Sequence, residues 1–155
     1  MKLRATFTAL AILLAAPATA QELYLGAGLD YGAPHEGDDE GFVSFLAGVI
    51  FDVGPVGLGI EGDIGRQITD GDERDTSRVR ALLTYDFGRF TGIASAGILQ
   101  YDLDNVSFEG ETFGLGAQIP FSDTLDGRFE VMRDFVGDDF ETNVTTVRFG
   151  VLYKF

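Results

Sequence analysis

Val147-Arg148-Phe149-Gly150-Val151-Leu152-Tyr153-Lys154-Phe155 places an apolar side chain at every odd position, while the positions between include Arg148, Gly150 and Lys154. Successive side chains of a strand point to opposite faces, so this stretch has one apolar face and one polar face. A soluble strand turns its apolar face inward and offers the other to water. Here the other face carries full charges and a glycine too small to seal a protein surface. The pattern suits a strand with lipid against its apolar side and a polar, side-chain-filled interior behind it.

The same alternation recurs upstream. Bounded by turn signals, it predicts eight strands at 22–31, 42–52, 56–66, 78–87, 91–101, 111–121, 128–136 and 143–155. Each is about ten residues, the length of a tilted strand that crosses a bilayer. Glycine, which weakens soluble strands, recurs inside them at Gly26 and Gly28, Gly57 and Gly59, and Gly114 and Gly116. A small barrel has a crowded interior that such residues relieve. The connections alternate as well. Val53-Gly54-Pro55, Gly88-Arg89-Phe90 and the stretch from Ser122 to Gly127 are short. The other four are longer and acidic, with Glu36-Gly37-Asp38-Asp39-Glu40 in the first and Asp70-Gly71-Asp72-Glu73 in the second. Short turns on one side and long loops on the other are expected of a membrane barrel.

Outward faces follow by parity: Leu23, Leu25, Ala27, Leu29 and Tyr31 on the first strand, Val43, Phe45, Ala47, Val49 and Phe51 on the second, and Val56, Leu58, Ile60 and Ile64 on the third. Val79, Leu83 and Tyr85 continue on the fourth strand, Ile93, Leu99 and Tyr101 on the fifth, Phe113, Leu115 and Ile119 on the sixth, and Phe129, Val131 and Phe135 on the seventh. Aromatics gather near both strand ends, as two interfacial girdles would require. Arg133 interrupts the seventh outward face, which places it at the outer rim or calls for a bulge.

The amino end adds direction. Lys2 and Arg4 precede an apolar run from Ala5 to about Ala16, then Pro17 and the small-x-small site Ala18-Thr19-Ala20. That is the layout of a cleaved secretory signal, with residues 1–20 removed and 21–155 forming one barrel domain. The run is too short for a membrane span of about 20 apolar residues. Removing Lys2 and Arg4 leaves nine basic residues against 25 acidic, a net charge of −16. Such a chain has no electrostatic route to nucleic acid, whose phosphates must be neutralised by Lys and Arg. The absence of cysteine excludes disulfides and thiolate metal sites.

The inward faces carry opposite charges. Counted from the turn end, Glu61 and Asp63 on strand three come near Arg80 and Arg78 on strand four. Asp134 comes level with Arg148, with Glu130 one layer below, and Gln100, Gln118, Thr84 and Asp86 add polar partners. Buried charges require partners, and eight strands enclose an interior just filled by side chains. The expectation is a salt-bridged plug that fixes strand register; a gated ion path or a catalytic carboxylate pair is the sharper alternative. His35, the single histidine, lies in the first long connection with no His-x-Ser pair, which speaks against an imidazole-dependent hydrolase or metal site. The acidic loops lack EF-hand spacing. No catalytic, cofactor-binding or metal-ligating residue is expected.

With eight alternating segments, asymmetric connections and the terminal motif from Val147 to Phe155, the chain resembles the small outer-membrane barrels of the OmpA transmembrane-domain and OmpX-like group. The resemblance covers residues 21–155. It implies an all-β, eight-stranded antiparallel up-and-down transmembrane barrel. It also implies that Phe149, Val151, Tyr153 and Phe155 form the signal read by the barrel-assembly machinery, and that Glu61, Arg80, Glu130 and Arg148 belong to a luminal charge network. The chain departs from the group in its acidic loops and its lack of tryptophan. The expected protein is a monomer in the outer membrane of a Gram-negative bacterium with a structural or surface-interaction role. Its partners would be outer-membrane lipid and lipopolysaccharide, the latter contacted through divalent cations. A narrow or gated pore is the alternative, and a soluble lipocalin-like barrel with inverted faces stands behind both.

Overall fold

The computed structural model describes residues 21–34, 40–69, 74–103, 106–136 and 142–155. The signal segment with its cleavage site, His35, and most of the acidic residues of the long connections lie outside the described residues. Eight strands follow in order: β1 (Gln21–Pro34), β2 (Glu40–Val53), β3 (Val56–Gln67), β4 (Arg74–Asp86), β5 (Thr91–Leu103), β6 (Val106–Pro120), β7 (Leu125–Val136) and β8 (Thr142–Lys154). Each pairs antiparallel with its sequence neighbours, and β8 returns to β1 to close the barrel. All eight expected strands are present, and most extend beyond the sequence-based bounds at the end nearest the long connections. Two short turns use glycine in the left-handed region, Gly54 at φ 67° and Gly88 at φ 86°, where other L-residues are strained.

Following the ladder once round from Glu22 returns to β1 at Gly32, a stagger of ten residues. Closure with that stagger tilts the strands by about 40° from the barrel axis. Each strand therefore sits higher than its predecessor, and residues far apart in sequence are brought to one level of the interior.

The faces are inverted relative to a soluble protein. Leu115 is 69% exposed and Phe149 63%, whereas Arg148 and Glu130 are 0% exposed. A soluble lipocalin-like barrel would require the opposite at Phe149 and Arg148. Monomeric soluble proteins rarely expose apolar patches beyond a few hundred Å², and here the apolar side chains form a belt around the whole wall. Aromatic rings cluster at the turn end of that belt: Phe87 lies 4.8 Å from Tyr85 and 4.9 Å from Phe90, and Tyr153 lies 5.1 Å from Phe155. Phe113 and Phe135 meet at 6.1 Å toward the long connections.

One face assignment fails. Ile93 and Leu99 point inward and are buried, and Tyr101 reaches the luminal Asp134, so the outward side chains of β5 are Ala94, Ala96 and Ile98. The middle of β5 carries no charge, and both its faces are apolar enough to lie outside. Its orientation is decided by Ser95, which donates to Glu130 at 2.9 Å, and by Gly97, which stands opposite Arg80 in the ladder. Gln100 consequently faces outward and donates to Asp102 at 3.0 Å rather than joining the lumen.

Small inward residues are a packing requirement. A Cβ on Gly48 would lie 2.3 Å from the Tyr24 hydroxyl oxygen, so the Tyr24 ring lies across the bare backbone of β2. On the opposite face, Val151 points outward in the turn-side half of β8, between Phe149 and Tyr153. Val151→Arg should lower stability in lipid vesicles by roughly 1–2 kcal/mol, between the about 2–4 kcal/mol cost of a cation at the bilayer midplane and the about 0–1 kcal/mol cost at its interfaces. Urea titration of the refolded barrel measures it, and an unchanged midpoint contradicts the assignment of this wall to lipid.

Candidate functional site

The interior holds the chemistry. Four arginines, Arg78, Arg80, Arg128 and Arg148, meet five carboxylates, Asp30, Glu61, Asp63, Glu130 and Asp134, all buried. Arg80 pairs with Glu61 on the neighbouring β3 and, across the lumen, with Glu130 on β7 at 2.5 Å. Its Nε lies 3.6 Å from Asp63. Arg78 binds Asp63 at 3.2 Å and Asp134 at 2.7 Å. Arg148 grips Asp30 with two bonds of 2.7 Å and also reaches Asp63 at 2.8 Å. Arg128 pairs with Glu61 and lies 5.1 Å from the centroid of the Tyr24 ring.

Carboxylates outnumber guanidiniums by one, and hydroxyls supply further donors. Tyr24 donates to Glu61 at 2.6 Å, Ser44 to Asp30 at 3.1 Å and Ser95 to Glu130 at 2.9 Å. Tyr101 and Thr146 both donate to Asp134 at 3.3 Å. These partners replace much of the hydration an ion loses on burial, which otherwise costs several kcal/mol, while Asp63 Oδ2, Asp134 Oδ1, Arg78 Nε, Arg80 Nε and Arg148 Nη1 are buried without a hydrogen-bond partner among the described residues.

Apolar side chains lie on both sides of the network. Toward the turns, Tyr24, Ile50, Leu82, Ile93 and Leu152 pack as one buried cluster with Leu46. Toward the long connections, Phe42, Leu99 and Val144 are buried in the inward rows beyond Ser44, Gly97 and Thr146. Arg74 and Glu40 form an ion pair at that end. Below the turn-side cluster a cup of 230 Å³ opens between Asp52, Asp86, Asp126 and Lys154. Lys154 holds Asp126 at 3.1 Å, and Gln118 donates to the same carboxylate at 2.5 Å.

All seven luminal residues singled out from the sequence, Glu61, Asp63, Arg78, Arg80, Glu130, Asp134 and Arg148, lie in this network. Glu61 faces Arg80 and Asp63 faces Arg78 in the ladder. The level expected for Asp134 is corrected: Arg148 stands opposite Glu130, while Asp134 stands opposite Val144 and serves Arg78. Counting from strand ends treats the barrel as unstaggered, and the ten-residue stagger shifts the levels. Asp30 and Arg128 were missed. The alternation that turns Leu29 and Tyr31 outward already turns Asp30 inward, and Arg128 shares the parity of Glu130. Phe149, Val151, Tyr153 and Phe155 all project from the outer wall, and the Phe155 amide donates to the Leu23 carbonyl at 3.0 Å. Arg133 also faces outward, with no bulge in the register of β7.

This is the fold of the small eight-stranded outer-membrane β-barrels, so the resemblance to the OmpA transmembrane-domain and OmpX-like group holds for the architecture. The attachment invasion locus protein Ail of Yersinia pestis superposes with a TM-score of 0.62 at 12% identity, over 88% of this chain and 99% of Ail. Neisserial surface protein A gives 0.60 at 12% identity, over 87% and 97%. The N-terminal barrel domain of Pseudomonas aeruginosa OprF gives 0.64 at 11% identity, over 86% and 97%. No protein-family model matches the sequence, and no curated protein matches it.

Removing one member of a buried pair costs about 3–5 kcal/mol because the other charge is stranded. Glu61→Gln and Arg80→Met should each destabilise the barrel on that scale, and the double variant should lose less than the sum by about 0.5–3 kcal/mol. Denaturant unfolding in vesicles measures the cycle; strict additivity means that the two side chains do not act together.

Proposed function

We propose that the chain is a small integral outer-membrane protein, a monomer whose role is structural or surface-interactive and whose lumen is plugged by its charge network. The observation that carries this is the filled interior: four arginines and five carboxylates, all buried, pair with one another across the lumen, and buried apolar side chains pack toward both ends of the network. The work is then left to the outer wall and the acidic loop end: membrane integrity, contact with lipid and lipopolysaccharide through divalent cations, and recognition. The chain would reach that membrane through the periplasm after cleavage near Ala20, in a Gram-negative cell, and be folded by the barrel-assembly machinery. The proposal includes no catalysis. Ser44 and Ser95 are buried and commit their hydroxyls to Asp30 and Glu130, and among the described residues no imidazole stands beside either to activate it.

Reconstituted in planar bilayers, the protein should leave conductance at the level of the bare membrane across physiological voltages. Discrete, repeatable conductance steps from the purified barrel would instead make it a narrow or gated pore. Assembly offers an independent check. Deleting Phe155 should leave export intact while sharply lowering the amount recovered in the outer membrane, as read by fractionation and immunoblot. Undiminished outer-membrane levels would remove the terminal strand as an assembly signal.

A further inference from the structure

Arg133 is an anomaly on the outer wall. The described outward cations are few in this acidic chain. Arg66 sits 3.4 Å from Asp75, and Arg89 lies in the short turn after β4. Arg133 forms no ion pair among the described residues. Its Nη1 donates to the Thr145 hydroxyl at 2.6 Å and its Nη2 donates to the Asn143 side-chain oxygen. Both acceptors are neutral, so they hold the positive charge in place without cancelling it. Two of the five guanidinium N–H donors are used, and the other three make no hydrogen bond among the described residues.

The position is as specific as the contacts. On the same face of β7 and β8, the pair one step toward the turns is Val131 and Val147, both apolar. One step toward the long connections come Phe135 and Asn143. Arg133 thus stands where the apolar belt gives way to polar side chains. A lipid-facing cation is costly near the bilayer midplane and tolerated near the interface. At that level the outer wall meets lipid headgroups, whose dominant anionic group is phosphate, and the planar guanidinium fork matches phosphate oxygens in a bidentate fashion.

We propose that Arg133, oriented by Thr145 and Asn143, binds the phosphate of a membrane-lipid headgroup on the outer face of β7 and β8. This rests on the membrane placement proposed above and adds a residue and a ligand chemistry to it. Val131, Val147 and the Phe113 ring beside them form the apolar surface against which that lipid's acyl chain would lie.

The test uses the full barrel folded in detergent and two probes with identical acyl chains, diphosphorylated lipid A and its dephosphorylated form, with bound lipid counted by native mass spectrometry. Wild type should bind the phosphorylated probe about tenfold more tightly. Arg133→Gln should abolish that preference, and Arg133→Lys should restore part of it. A preference that survives in Arg133→Gln overturns the proposal, as does full displacement by millimolar inorganic phosphate, which would mark a free-anion site. A residue that only clamps β7 to β8 would lower the unfolding midpoint of Arg133→Gln and leave lipid preference untouched. Failure of wild type to give a compact, detergent-resistant band on unboiled gels would instead reject the membrane placement, and this site with it.

Discussion

Arg80 joins two walls of the barrel: its guanidinium bonds Glu61 on the adjacent strand and Glu130 on β7, across the lumen. A charge placed there has no water to return to, so its partners must be held at fixed heights, and those heights follow from the stagger of the closed ladder. Pairing inside and lipid-facing alternation outside are therefore one constraint. Shifting any strand by a single residue would turn its charges to the apolar wall and its apolar side chains onto the network. Small inward residues serve the same arrangement, since Gly97 opposite Arg80 and Gly48 beneath Tyr24 leave the width these long side chains occupy.

The sequence discloses the strand count, the short and long connections and most face assignments, because each strand of a barrel this small turns one face to an apolar exterior and the other to a packed, charged interior. Where the contrast between faces fails, so does the inference. In β5 the run Ile93-Ala94-Ser95-Ala96-Gly97-Ile98-Leu99 has no charged marker, and the positions of Glu130 and Arg80 on other strands decide which way it turns. The stagger is equally invisible along the chain, being a property of closure. This explains why the expected set of luminal residues is found in one network while the level of Asp134 relative to Arg148 is not. Asp30 was legible by parity and is held by the most regular ion pair of the interior.

The layered lumen bears on function more than the fold does, since small barrels of this shape serve unrelated roles. At 11–12% identity the similarity to Ail, Neisserial surface protein A and the OprF barrel domain extends to architecture. Beyond that shared architecture, this chain carries an apolar cluster of Tyr24, Ile50, Leu82, Ile93 and Leu152 on the turn side of its charges and, on its outer wall, an arginine with no ion pair among the described residues. The first argues for a closed interior, and the second directs attention to the lipid around it.

The inside-out arrangement is tested most directly by separating cell envelopes and running the outer-membrane fraction in SDS with and without boiling. The account predicts recovery with the outer membrane and faster migration of the unboiled protein, because a closed, internally paired barrel resists detergent until heated. Recovery in the soluble periplasmic fraction, with identical mobility before and after boiling, would contradict it and return the apolar wall to the inside of the molecule.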